Sequence, residues 1–504
     1  MLDLGFIDKE EEMRAKESKP KIIAQNIGSI KTPHFVMMVR DYLSSKYGEG
    51  IVENGGFKVI TTIDASLQGI AERAVGEGAN RNAEAYDGRN AALVAQDPKT
   101  GQILALVGSK DYFGDSEPAG CDTNPKISCQ FEGNFNVAAQ GLRQPGSSFK
   151  PFAYIAALKQ GYSPETVVFD LPTEFSTYKN ECPLLNINFA NENSRCFHPE
   201  NFDHQFRGPV NLRNSLAQSI NIPSVKILYL AGISNTIKTA EDFGITTLND
   251  PYRYGLSLVL GGGEVKLIDM VGAYSVFAQD GIKHQQAFIL EIKDSDGKIL
   301  ENFVDLKTQV IEAQYARQIN DILSDKSARS PLFQNSLNLT TFPEHEVALK
   351  TGTTNNYKDA WTIGYTPYLA AGVWAGNNNN KPMQKQAGSI LAAVPIWHAF
   401  MSEALLKFES ENFPRPEPVP QEKPMLNGQI VVNSRVHDIL FYVDKNDPLG
   451  QQPQNPEEDS QFLNWELPAE EWVKNHGLNN LPTYIPPARN ASSGMNQTLT
   501  PTQL

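Results

Sequence analysis

The sequence has no long hydrophobic segment and no excess of basic charge. None of its apolar runs approaches the roughly 18 residues that a membrane-spanning helix requires. Its 44 lysines and arginines are outnumbered by 58 aspartates and glutamates, which gives a formal net charge of −14. Such a balance offers no basic patch for a phosphate backbone. Both absences argue against a membrane span within the sequence and against a nucleic-acid partner.

Signals for export and for metal binding are also missing. The first twelve residues lack the basic and apolar regions of a secretory signal peptide. The eight histidines include no H-x-x-x-H pair, and the four cysteines include no C-x-x-C pair. We therefore predict no metal site and no cofactor. With 504 residues, 40% of them hydrophobic, the chain is typical of a globular protein with a large core.

The order of three short motifs along the chain is informative. They are S-x-x-K at Ser147–Lys150, S-x-N at Ser219–Asn221 and K-T-G at Lys350–Gly352. Further copies are S-x-x-K at Ser18–Lys21, S-x-N at Ser336–Asn338 and Ser410–Asn412, and K-T-G at Lys99–Gly101. The tripeptides alone are therefore weak evidence, and the residues around each copy decide between them.

Local context selects one copy of each motif. Ser147 follows turn residues and opens an apolar helical stretch, so we predict that it lies at a helix N-terminus with Lys150 one turn along. Lys99 lies between two apolar runs, which predicts a hairpin turn. Lys350 instead ends a short apolar run, which predicts a position on a strand.

These residue types can support nucleophilic catalysis. A serine hydroxyl such as that of Ser147 needs a nearby base. Lys150 can be that base if burial or another cation lowers its pKa, and Lys350 is a candidate for the second cation. Ser219 can relay a proton, and Asn221 can bind an amide and orient Lys150.

The strand motif supplies candidate substrate-binding residues. Thr351 and Thr353 offer hydroxyls for a substrate carboxylate, with Gly352 between them. The backbone N–H groups of Ser147 and Thr353 can form an oxyanion hole.

Longer segments around these motifs resemble one protein family. Residues 143–152, 350–361, 363–367 and 372–377 closely resemble the active-serine and K-T-G segments of class A penicillin-binding proteins, and residues 257–265 and 57–64 resemble two further segments of that family. The resemblance covers roughly residues 5 to 405. It implies an α+β transpeptidase fold, shared with serine β-lactamases, in which a five-stranded antiparallel sheet lies between helical layers.

The resemblance implies an extracytoplasmic D,D-transpeptidase that cross-links peptidoglycan. Stem peptides and β-lactams would be its partners, and Ser147 would carry the acyl group. Two alternatives stay open: a hydrolase, either a D,D-carboxypeptidase or a serine β-lactamase, and a non-catalytic module that binds the cell wall. Between Asn221 and Lys350 the sequence has no E-x-x-L-N segment, which class A β-lactamases use to activate water. Its absence favours the transferase.

We expect three regions. Residues 1–56 would be the end of a glycosyltransferase-like region and a linker, and residues 57–410 the transpeptidase domain. Residues 411–504 would be a proline-rich linker and a mostly disordered tail, with a small β element between 428 and 444. Class A members carry a membrane anchor and a glycosyltransferase domain ahead of the transpeptidase, so we expect the full-length protein to be anchored through a segment absent here.

The four cysteines form two pairs that are close in sequence. For a protein outside the cytoplasm we favour the disulfides Cys121–Cys129 and Cys182–Cys196. A zinc site that recruits His198 and His204, or four free thiols, stay open as alternatives.

Hydrophobic periodicity and turn residues predict the secondary structure. Helices are predicted within 1–24 and at 33–47, 67–79, 147–159, 211–231, 264–279, 312–325 and 388–407. Strands are predicted at 57–64, 286–293, 346–352, 359–365 and 368–376, together with the hairpin at 91–107.

Overall fold

The structure is a computed structural model that describes residues 2–17, 30–178, 180–190 and 193–478. Its α-helices are α1 (Lys9–Glu17), α2 (Pro33–Tyr47), α3 (Glu49–Asn54), α4 (Ala65–Tyr86), α5 (Lys150–Lys159), α6 (Leu212–Ala217), α7 (Asn221–Ala231), α8 (Ile233–Phe243), α9 (Leu267–Ala278), α10 (Ala313–Ser324), α11 (Lys326–Phe333), α12 (Leu337–Thr340), α13 (Ser389–Ala392), α14 (Val394–Ala404), α15 (Ile439–Tyr442) and α16 (Phe462–His476). Its strands are β1 (Lys58–Thr61), β2 (Asn90–Gln96), β3 (Ile103–Val107), β4 (Val167–Asp170), β5 (Gly208–Asn211), β6 (Ile282–His284), β7 (Ile289–Lys293), β8 (Ile299–Asn302), β9 (Lys307–Gln309), β10 (Ala348–Thr353), β11 (Asp359–Tyr365) and β12 (Ala370–Gly376).

A five-stranded antiparallel sheet lies at the centre of the molecule. Its strand order is β10-β11-β12-β2-β3. Strands β2, β11 and β12 are buried along their whole length, because helices cover both faces. Their residues are therefore small or apolar at most positions instead of alternating with polar ones. In the register of β10 with β11, Lys350 lies opposite Ile363 and Gly352 opposite Trp361.

One face of the sheet is covered by α4 and α14. The two helices approach closely at Gly78, where an added Cβ would lie 2.3 Å from Ile396 Cγ1. Trp397 of α14 packs over the sheet, and its Nε1 donates a hydrogen bond of 3.1 Å to the carbonyl of Ala371 in β12. This helical layer therefore depends on a small residue at the helix contact and on one large aromatic ring against the strands.

The opposite face packs against α9 and α10 through buried aromatic rings, and α5 packs against these two helices. Tyr365 of β11 donates from its hydroxyl to Asn320 Oδ1 of α10 at 2.8 Å, and its ring contacts Tyr274 of α9 edge-on. Phe152 of α5 packs against Phe277 of α9 in the same cluster. With helices on both faces of a five-stranded antiparallel sheet, the structure confirms the predicted α+β fold.

The predicted strands at 57–64 and 286–293 belong to a second, smaller sheet. β1 pairs with β7, and β7 pairs with β8. The helix α2 packs beside this sheet, and both Tyr42 and Tyr47 donate hydroxyl hydrogen bonds to Glu301 of β8. Residues 58–61 and 289–293 are therefore strands, as predicted, outside the central sheet.

Two predictions about helices need correction or completion. The helix predicted at 211–231 is two helices, α6 and α7, because Ser219 between them has a left-handed backbone with φ of 60°. The charged helix predicted within 1–24 is present as α1, while residues 18–29, including the S-x-x-K copy at 18–21, lie outside the described residues. Among the helices that the structure describes, none has the length and apolar character to cross a membrane.

The region after residue 424 differs most from expectation. The predicted β element between 428 and 444 is wrong, since this segment contains α15 and no strand among its described residues. The expected disorder is also wrong for residues 446–478, which include the 15-residue helix α16. Trp465 of α16 is fully buried, and the buried Lys226 of α7 forms an ion pair of 2.9 Å with Asp438. These contacts order the segment, and residues 479–504 lie outside the described residues.

All four cysteines form disulfides in the pairing expected from the sequence. Cys121 bonds to Cys129, and Cys182 bonds to Cys196. Since the described residues include no free cysteine, the zinc alternative loses its thiolate ligands.

Candidate active site

Ser147 lies on a 3-10 turn, Gly146–Phe149, that leads directly into α5. Its side chain is partly exposed, whereas the neighbouring Ser148 is fully buried. The Ser148 hydroxyl donates to the carbonyl of Pro145 at 2.7 Å, and the Ser148 carbonyl accepts from the hydroxyl of Tyr274 at 2.6 Å. Of the two adjacent serines, Ser148 therefore holds the turn in place and Ser147 faces outward.

Glycines allow the serine turn to touch the K-T-G strand. A Cβ added to Gly352 would lie 2.1 Å from the Pro145 carbonyl, so only glycine fits at this point of β10. Gly146 has a φ of 55°, and an added Cβ would lie 2.6 Å from the carbonyl of Thr353. The close approach brings Ser147 beside the strand.

The side chain of Lys150 is fully buried and points towards the S-x-N segment. Its Nζ donates to the Ser219 carbonyl at 2.6 Å, to Asn221 Oδ1 at 2.9 Å and to the Ile220 carbonyl at 3.2 Å. A weaker contact of 3.5 Å reaches Ser219 Oγ. Burial and the positive charge of Lys350 hold the pKa of Lys150 well below its usual range.

Lys350 reaches the same serine from the opposite side. Its Nζ donates to Ser219 Oγ at 2.7 Å and to the Thr351 carbonyl at 2.9 Å. Burial, together with the nearby charge of Arg329, lowers the pKa of Lys350 to about 7. The two lysines therefore meet at one hydroxyl, and both have a depressed pKa.

Ser219 and Asn221 are placed by the break between α6 and α7. The left-handed conformation of Ser219 turns its hydroxyl and its carbonyl towards the two lysines. Asn221 is the first residue of α7, and its Nδ2 donates to the carbonyl of Glu200 at 2.7 Å, which leaves Oδ1 to accept from Lys150. The structure therefore brings the predicted residues of all three motifs together.

One expected contact is absent. Among the described residues, no hydrogen bond joins Ser147 Oγ to either lysine.

The predicted substrate-binding residues line the strand side of the site. Thr353 is partly exposed, and its Oγ1 accepts from the backbone N–H of Ser389 at 2.9 Å. Thr351 is largely buried and lines a small cavity together with Lys350 and Arg329. Gly352 serves the packing of the strand against the serine turn, as described above.

Sequence reasoning missed four residues that shape the site. Asp170 acts on Lys150, Arg329 acts on Lys350, and Asn201 holds Asn221. The fourth is Arg143, whose guanidinium donates to the carbonyls of Asn377 and Asn378 beside the serine turn. The sequence carries no local signal for the first three, because each acts on residues at least 20 positions away.

A family model described as the penicillin-binding protein transpeptidase domain matches residues 91–402. The chain belongs to this family. The matched region includes every motif residue of the site, and the match confirms the resemblance found in the sequence.

Relatives and solved structures agree with this membership. Penicillin-binding protein 1A of Aquifex aeolicus is 26% identical over 522 residues, covering 88% of this chain and 65% of the relative. Penicillin-binding protein 1A from Haemophilus influenzae has a similar structure, with a TM-score of 0.65 at 20% identity, covering 85% of this chain and 78% of that chain. The PonA1 protein from Mycobacterium tuberculosis in complex with penicillin V gives a TM-score of 0.60 at 25% identity, covering 77% of this chain and 97% of that chain. The chain therefore spans slightly less than two thirds of the Aquifex relative.

Proposed function

We propose that this protein is a peptidoglycan D,D-transpeptidase that works through an acyl-enzyme on Ser147. Its substrates would be stem peptides ending in D-Ala-D-Ala, and β-lactams would acylate the same serine. The observation that carries the proposal is the convergence of Lys150 and Lys350 on Ser219, beside the partly exposed Ser147. The relative solved in complex with penicillin V supports β-lactam binding by analogy.

In the first step, Ser147 Oγ attacks the carbonyl carbon of the penultimate D-Ala. The Oγ–carbon bond forms while the proton of the hydroxyl passes to the neutral amine of Lys150. The peptide C–N bond then breaks, and Ser219 relays the proton from Lys150 to the departing nitrogen, so terminal D-Ala leaves as a free amine and Lys150 is neutral again. An amine of a neighbouring stem peptide then attacks the acyl-enzyme and gives its proton through Ser219 to Lys150, which returns it to Ser147 Oγ as the ester bond breaks.

The electrostatics suit these roles at neutral pH. Burial and the charge of Lys350 lower the pKa of Lys150, which favours the neutral amine that can accept a proton. Lys350, with a pKa of about 7, lies on the other side of Ser219 and supplies positive charge in its protonated form. Thr351 and Thr353 would bind the substrate carboxylate, and the backbone N–H groups of Ser147 and Thr353 would stabilise the oxyanion.

In this role the protein acts outside the cytoplasm, where its substrate lies, and is anchored through a segment ahead of this sequence.

Labelling with a fluorescent penicillin tests the proposal. We expect one covalent adduct per chain, located by mass spectrometry on the peptide that contains Ser147, and no labelling of Ser147→Ala. Ser148→Ala is the matched control and should still be labelled. An adduct on Ser148 or Ser219 would contradict the assignment.

The lifetime of that adduct separates a transferase from a β-lactamase. After removal of free penicillin, we expect the adduct to persist far longer than one turnover, since no E-x-x-L-N segment supplies a base for hydrolysis. Loss of the adduct within seconds, with steady release of hydrolysed penicillin, would assign the site to a β-lactamase.

A further inference from the structure

The start of α7, where Asn221 lies, is capped by a residue 20 positions earlier. The first N–H groups of a helix need acceptors from outside the helix, and the preceding residue often supplies one. Here that residue is Ile220, whose side chain has no acceptor. Asn201 takes its place, because its Oδ1 accepts from the backbone N–H of Asn221 at 2.9 Å and of Ile222 at 3.3 Å.

Asn201 is in turn fixed by Asp170, the last residue of β4. The Nδ2 of Asn201 donates to Asp170 Oδ1 and to the Gln205 carbonyl, both at 2.7 Å. The other oxygen of Asp170 accepts from the backbone N–H of Arg207 at 3.1 Å, and the guanidinium of Arg207 lies 3.5 Å away. Asp170 is 0% exposed and Asn201 is 2% exposed, so this arrangement is part of the protein interior.

These contacts lead to the proposed base. Asn201 holds the backbone of Asn221, and Asn221 Oδ1 accepts from Lys150 Nζ at 2.9 Å. The charged groups that act on Lys150 are Lys350 of β10, which lowers its pKa together with burial, and Asp170 of β4, which raises it. Asp170 therefore acts on Lys150 in two ways, through Asn201 and through its own negative charge.

We propose that Asp170 and Asn201 are positioning residues for acylation of Ser147. Asn201 fixes the start of α7 and with it the amide that orients Lys150. Asp170 orients Asn201 and supplies a buried negative charge that keeps Lys150 basic enough to accept the proton of Ser147. This inference rests on the proposed function of the site.

The charge of Asp170 is tested by Asp170→Asn, with the rate of acylation by fluorescent penicillin measured from pH 4 to 10. Removing a nearby anion disfavours the ammonium form and lowers the pKa of Lys150 further. We expect the acid limb of the rate profile to move to lower pH. Asp203→Asn is the matched control, because Asp203 pairs with the same Arg207 but makes no bond to Asn201. Its profile should match that of the unchanged protein.

The cap is tested by Asn201→Ala and Asn201→Ser. Without Asn201 Oδ1 the first N–H groups of α7 lose this acceptor, and a serine hydroxyl can replace it. We expect Asn201→Ala to slow acylation by roughly tenfold at every pH without moving the acid limb, and Asn201→Ser to recover part of the rate.

The outcomes separate this inference from the proposed function. An unmoved acid limb in Asp170→Asn, with or without a lower rate, would overturn the electrostatic role of Asp170. Equal rates for Asn201→Ser and Asn201→Ala would overturn the role of the cap, and this pair still decides the matter if Asp170→Asn does not fold. Failure of the unchanged protein to be labelled would instead contradict the function proposed for Ser147.

Discussion

The two K-T-G motifs of this chain are identical in sequence, but one is buried and the other is exposed. Lys350 lies in β10 at the centre of the fold, 3% exposed, with its Nζ on Ser219 Oγ. Lys99 lies at the turn between β2 and β3, where its side chain is 47% exposed and pairs with the exposed Glu411. Burial lowers the pKa of Lys350 to about 7.

The chemistry of this site therefore comes from burial and from neighbouring charged groups. An ordinary exposed lysine is protonated at neutral pH and cannot accept a proton. Water and salt also screen its charge. A buried lysine next to a second cation has a lowered pKa, so its neutral form, which can accept a proton, is more available within the working pH range. Substitutions that change only the charge or only the proton-accepting ability of a lysine should therefore affect Lys99, Lys150 and Lys350 differently.

The largest effect should come from Lys150→Arg. Guanidinium stays protonated in proteins and cannot accept the proton of Ser147. General-base catalysis contributes about 10²–10⁴-fold, and we expect acylation by fluorescent penicillin to slow by an amount in that range. The matched control is Lys159→Arg, at the exposed end of the same helix, which should leave the rate unchanged. Acylation of Lys150→Arg at a near-normal rate would show that another group is the base.

A smaller effect is expected for Lys350→Arg, which retains positive charge. We predict that acylation slows by about tenfold, equivalent to about 1.4 kcal/mol of transition-state stabilisation. Lys99→Arg, the same change in the other K-T-G copy, should have no effect because that side chain lies in solvent. Equal losses in Lys150→Arg and Lys350→Arg would contradict separate roles, and a slow Lys99→Arg variant would contradict the comparison itself.

Most of the fold was predictable, because the hydrophobic pattern of these segments agrees with their burial. The hairpin of β2 and β3 follows from two apolar runs around Asp97 and Gly101, and the strands β10 to β12 follow from similar runs. The C-terminal segment was not predictable, because its Pro, Gln, Asn and Glu content is typical of disorder. Its order comes from tertiary contacts such as the burial of Trp465 and the hydrogen bonds from Asn464 to the carbonyls of Glu174 and Ser176.

The candidate site was also only partly predictable from the sequence. Motif order and context selected the residues that the structure brings together, including Lys150, Ser219 and Lys350. The break at Ser219 was missed although Pro223, in the first turn of α7, is typical of a helix start. The left-handed backbone of Ser219 is accompanied by hydrogen bonds from both lysines. Asn201 was missed because a helix cap supplied from a distant loop leaves no mark on the sequence next to the helix.

The smallest change in rate should come from Arg329→Met, which tests whether the positive charge of Lys350 matters for acylation. Arg329 is buried beside Lys350, with its Nη2 donating to Thr340 Oγ1 at 2.6 Å, and its charge lowers the pKa of Lys350. Methionine fills similar space without charge, and Asp325 keeps its pairing with Arg213 at 3.3 Å. The pKa of Lys350 should therefore rise above about 7, so that Lys350 stays protonated to higher pH.

If Lys350 acts through its positive charge, the alkaline limb of the acylation rate should move to higher pH in Arg329→Met. The rate at pH 7 should change by less than about twofold, since a large share of Lys350 is already protonated there. Arg329→Lys retains the charge and should leave the limb near its original position. A shift to lower pH in Arg329→Met, or no shift, would mean that the charge of Lys350 does not limit acylation. The difference between the two K-T-G lysines would then lie in the hydrogen bond to Ser219 alone.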